Sequence, residues 1–151
     1  MAFAEGTSVE FEKSIADIIS LIKRAGAGQI GQMDYGDKFV IGFKLADRAI
    51  RFTLPLATEY EGPTKAGNGR KIDQKKVLEQ QNRQKGRALL LVIKAKLESV
   101  ESGIETMEQA FLANVVLHGG QTVYDRIAEP IALEYQTGRP TVAGLLAGPS
   151  T

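Results

Sequence analysis

Four cations stand at helical spacing in the middle of the chain: Lys76, Arg83, Arg87 and Lys94. At about 100° per residue they fall within roughly 20° of one line along a helix. Lys75 and Lys85 flank that line. Glu79 is the acid placed to offset it, through its i,i+4 partner Arg83. Like charges aligned on one edge repel unless an anion comes close, and a phosphate backbone is an anion of matching elongated shape. Lys65, Arg70 and Lys71 lie just before the row in a glycine-rich stretch, and Lys44 and Arg51 lie before that. These eleven residues are the candidate phosphate contacts. Such contacts hold a nucleic acid without reading its sequence.

Catalytic chemistry is poorly represented. The chain has no cysteine, which excludes disulfides, thiolate metal sites and a cysteine nucleophile, and suits a reducing compartment. His118 is the single histidine, and beside Gly119-Gly120 it reads as a polar turn residue rather than a general base. No Gly-x-Ser-x-Gly, His-Glu-x-x-His or Walker A pattern occurs. The segment Gly62 to Lys71 has the wrong order for a P-loop, yet it follows a strand and precedes a helix, which leaves a hint of an anion site. Metal ligands are too few for a zinc or calcium site. Glu98, Glu101, Glu105 and Glu108 recur at helical spacing and read as a solvated face rather than as paired catalytic carboxylates. The expectation is a binding protein, not an enzyme, with no cofactor and no metal. Tyr35 and Tyr60 are the candidate rings for stacking on bases.

Charge is segregated although the net value is +1. Residues 62–87 carry eight Lys or Arg against Asp73 and Glu79, whereas residues 98–136 carry seven acids against Arg126. The basic middle of one subunit could therefore meet the acidic half of another, and a homo-oligomer is expected. No signal-peptide pattern opens the chain, and the longest apolar run, Ala88 to Ile93, is too short to span a bilayer. A cytoplasmic protein without membrane attachment is expected.

The elements that must position these residues follow from periodicity. Residues 8–25 read as a helix capped by Ser8, with Phe11, Ile15, Ile18, Ile19 and Ile22 on one side and Gly26 and Gly28 at its end. Three strands follow: a weak one over 29–35, then 38–45 and 48–56. Phe39, Ile41, Phe43 and Leu45 share a face, as do Ile50, Phe52, Leu54 and Leu56, while Val40, Gly42, Lys44, Arg51 and Thr53 point the other way. Both links between strands are short enough for hairpins. Residues 57–72 form a loop whose Gly, Pro and Asn content predicts mobility. A long helix runs from a cap at Asp73 to Ser102, and its second half, Ala88 to Ile93, is apolar almost all round, which predicts burial on more than one side. Thr106 to Gln109 resembles a capping box for a short helix through Asn114, and a last helix runs from Thr122 to Gln136, with Pro130 inside it. The whole is α+β: an N-terminal helix, a three-stranded antiparallel sheet, a long helix and two shorter C-terminal helices packed on one face of the sheet. Residues 1–140 form one domain, and 141–151 form a flexible or docking tail.

The order helix, three strands, helix resembles the double-stranded-RNA-binding domain and the small cores of phage annealing proteins, in topology alone. The block Arg87 to Ile104, followed by Phe111-Leu112-Ala113-Asn114, resembles a segment of small uncharacterised proteins of tailed phages and prophages. Arg51 to Leu56, Gly119 to Val123 and Tyr135 to Gly138 fit the same pattern, so the resemblance covers most of the chain. It implies a bacterial host and no residue roles. With the cation row, it implies a nucleic-acid-binding accessory protein for single- or double-stranded DNA in phage replication or recombination. The alternative is a host-takeover or anti-defence protein that binds a host protein or a nucleotide signal, with Gly62 to Lys71 as a lid.

Overall fold

A computed structural model describes residues 8–141. Helix α1 (Val9–Arg24) begins where the Ser8 side chain accepts the Phe11 amide, and Gly26 follows its end at φ +99°. Gly28, expected to help terminate this helix, instead opens strand β1 (Gly28–Asp34). Strands β2 (Lys38–Leu45) and β3 (Arg48–Pro55) complete an antiparallel sheet in the order β1-β2-β3. Helix α2 (Gln74–Glu101) follows the loop, then α3 (Met107–Phe111), a 3₁₀ turn (Leu112–Asn114) and α4 (Val123–Thr137). The described residues are thus α+β with four α-helices. The tail beyond Thr141 lies outside the described residues.

Alternation in β2 and β3 dictates the core. Phe39, Ile41, Phe43, Leu45, Ile50, Phe52 and Leu56 are buried, and register pairs Ile41 with Phe52 and Phe43 with Ile50. Above this face α1 lays Phe11, Ile15, Ile18 and Ile22, and α2 lays Leu89 and Ile93. Phe111 stands edge-on to Phe43 and Phe52, which closes the aromatic cluster. Each such side chain contributes about 1.5–3 kcal/mol on burial. Helix α4 buries no side chain fully. It is joined instead through the 115–122 segment, where Val115 bridges Ile50 at the β3 edge and the Val116 amide donates to Ala49 O.

The buried face of α2 also contains Asn82 and Gly86. A Cβ at Gly86 would lie 3.0 Å from the Phe11 ring, so glycine lets α1 and α2 approach closely. Asn82 is fully buried; its amide donates to Ala57 O at 3.0 Å and accepts from Ala57 N at 2.7 Å. The second half of α2 is covered on one side only: Ile93 and Leu89 are buried, whereas Leu91 is 64% and Val92 45% exposed. The expectation of burial on more than one side is corrected, because the sheet and α1 occupy a single side of the helix.

Two predictions follow from this packing. Asn82→Leu leaves both Ala57 backbone groups unpaired and should cost about 2–4 kcal/mol in chemical denaturation. Ala46 and Asp47 both adopt positive φ (49° and 62°) in the β2–β3 turn, a conformation that Asn-Gly prefers. Ala46→Asn with Asp47→Gly should therefore stabilise by about 1 kcal/mol in the same assay.

Candidate nucleic-acid interface

The Asp73 carboxylate starts α2 by accepting the Lys76 amide at 3.2 Å. From there the helix carries Lys76, Arg83, Arg87 and Lys94 along one flank, over about 27 Å at 1.5 Å per residue. Lys76, Arg87 and Lys94 are exposed and Arg83 is half-buried. Among the described residues the ion pairs are Arg48 with Glu108, at 2.6 Å, and Arg51 with Asp125, at 3.9 Å. Neither involves the flank. The expected Glu79–Arg83 pair is not formed.

Helix α1 adds a cation that helical spacing within α2 could not reveal. A shallow groove of about 270 Å³ separates the two helices. Arg24 and Asp17 line one wall, and Leu90, Leu91 and Lys94 line the other. Arg24, in the last turn of α1, thereby shares the groove with Lys94.

The loop before α2 carries hydrogen bonds of its own. Lys65 and Lys71 pair in an antiparallel bridge. Inside it the Ala66 amide donates to Arg70 O at 2.8 Å, the Gly69 amide to Ala66 O, and the Arg70 amide to Asn68 Oδ1. Gly69 makes the turn at φ +82°. Lys65, Arg70 and Lys71 are exposed on this tongue, and Lys75 is exposed on the first turn of α2. Like charges directly opposite one another across a bridge repel, so Lys65 and Lys71 add to the local demand for an anion. The first turn of α2 is capped by the Asp73 carboxylate, which accepts the Lys76 amide.

Three candidates leave the site. Lys44 is exposed on the sheet face opposite the core, away from α2. Arg51, on that same face, donates to Gly120 O at 2.8 Å and ties the 115–125 segment to β3. Lys85 donates to Pro55 O at 2.9 Å. Sequence spacing places a charge on a face but does not show which carbonyl a neighbouring loop brings to it.

The remaining polar candidates are dispersed. Glu105 accepts from Ser99 Oγ at 2.6 Å, and Glu108 holds Arg48. His118 is exposed, and its carbonyl accepts from Arg126. No group of three or more His, Asp or Glu that could hold a metal occurs among the described residues, and no helix there is long and apolar enough to cross a membrane. Phe39, Phe43 and Phe52 are core residues. The Tyr60 hydroxyl donates to Pro63 O, and Tyr35 lies under the Lys38 ammonium at 5.1 Å.

Comparison with protein-family models, curated proteins and solved structures finds no match to this chain.

Proposed function

We propose that this chain binds the backbone of a nucleic acid along α2, without catalysis and without reading base sequence. One observation carries the reading: Lys76, Arg83, Arg87 and Lys94 line a single helix flank, and none meets a carboxylate within 4.0 Å among the described residues. Arg24 extends the row on the α1 side, and Lys65, Arg70, Lys71 and Lys75 extend it at the N-terminal end of α2. The span of about 27 Å matches roughly eight nucleotides at 3.4 Å per step along one strand. DNA is the favoured partner. Its setting in phage replication or recombination rests on the resemblance of the Arg87 to Ile104 block alone.

The test is fluorescence anisotropy with single- and double-stranded DNA across a salt series. Four phosphate contacts at about 0.9 each predict a log–log salt slope of about −3 to −4. Lys76→Glu with Arg83→Glu and Arg87→Glu should reduce binding to background while circular dichroism and melting stay unchanged. Arg24→Glu should weaken binding, whereas Lys44→Glu should leave it intact. Binding that survives the triple reversal, or that ignores salt, rules the reading out.

A further inference from the structure

Helix α2 carries a second apolar row on the side turned away from the core. Ala88, Leu91, Val92 and Ala95 follow one another at i, i+3, i+4 and i+7, the spacing of a helix–helix seam. All four are exposed. Their order is symmetric about the midpoint between Leu91 and Val92: small, large, large, small. Gln84 and Ser99 continue that symmetry as polar ends. A row that reads alike in both directions is self-complementary in an antiparallel two-fold pair.

We propose that the outer face of α2 pairs antiparallel with the same face of a second copy of this chain. Leu91 then packs on Val92 of the second copy, and Ala88 on Ala95. The two-fold axis stands perpendicular to both helices, so a given flank of one copy lies on the same side as that flank of the other. Charge order favours this sense. Arg83 and Arg87 precede the seam on the flank where Glu98 and Glu101 follow it. Antiparallel pairing brings Arg83 level with the second copy's Glu101, and Arg87 level with its Glu98, within about 3 Å along the axis. In a parallel two-fold pair the axis runs along the helices and sends these flanks to opposite sides, so no such Arg–Glu match across the seam would form. Lys94 comes beside the second copy's Arg87, a repulsion that Glu98 offsets and a bound polyanion would relieve. The pair thus sets both flanks on one side, with Arg83 and Arg87 offset by the second copy's acids and Lys76 of each copy beyond them. The seam does not rest on the nucleic-acid reading, since its apolar row and charge order stand without it.

Sedimentation equilibrium of the full chain, without nucleic acid, should give twice the 16.4 kDa of one chain. Leu91→Glu with Val92→Glu should give the single-chain mass with unchanged circular dichroism, because both side chains are exposed. Glu98→Arg with Glu101→Arg should also dissociate the pair, and adding Arg83→Glu with Arg87→Glu should restore it. The chain has no cysteine, so an oxidised mixture of Ala88→Cys and Ala95→Cys should cross-link while neither variant alone does. A single-chain mass at every concentration, failure of the charge exchange to restore the pair, or self-linking of each cysteine variant alone would overturn the proposal. DNA binding by the monomeric double variant would leave the cation row standing without the seam, and a DNA-blind dimer would do the reverse.

Discussion

The two hydrogen bonds between the Asn82 amide and the Ala57 backbone fix α2 along its axis. Apolar contacts alone are non-directional, so leucines and isoleucines on a flat sheet resist sliding only weakly. An amide that must satisfy one N–H and one C=O at a single residue has one axial position. Gly86 sets the second coordinate, since the Phe11 ring seats where a side chain would otherwise stand. With position and depth fixed, rotation is fixed too. The cation flank and the outer apolar row then point where they do as a consequence of the inward face.

This arrangement explains how a helix can be polar for half its length and still be ordered. Its first turns carry Gln, Lys, Glu and Arg, which are good helix formers in isolation. The Asp73 cap satisfies one of the free amides at the start, and Leu78, Asn82 and Gly86 anchor that half to the fold. Only one side of the helix is needed for this attachment. The other sides are released from packing and can carry charge at no cost to the core.

Legibility in the sequence follows the same division. The bounds of β2, the start of β3, the Ser8, Asp73 and Thr106 caps and the buried faces of the sheet are readable because each depends on neighbours within a few residues. Asn82 was hidden: a polar residue in a polar stretch gives no periodic signal, and its partner Ala57 lies 25 positions away. Arg51 and Lys85 misled for a related reason, since the Gly120 and Pro55 carbonyls that engage them are brought by the fold. Arg24 was missed because its place beside Lys94 depends on how α1 lies against α2. In the run Ala88 to Ile93 composition shows that a segment is apolar all round, but only the neighbours show how many sides are covered.

Among the described residues the acidic half of the chain forms no ion pair with the cation flank of α2, and its geometry explains why. Asp125 closes the Thr122 capping box and leans toward Arg51. Glu108 is drawn to Arg48 near the β2–β3 turn, and Glu105 accepts from Ser99. These acids are engaged by local caps and turns. Glu98 and Glu101 do share the flank of α2, but they follow Lys94 toward its C-terminal end, about one and two turns beyond it. Along one straight helix they cannot fold back onto Arg83 or Arg87. Among the described residues no carboxylate stands within 4.0 Å of those guanidinium groups. The two partners proposed above, a second α2 running the opposite way and a phosphate backbone, would each supply anions along this flank. They share the same flank, so occupancy by one alters the charge that the other meets.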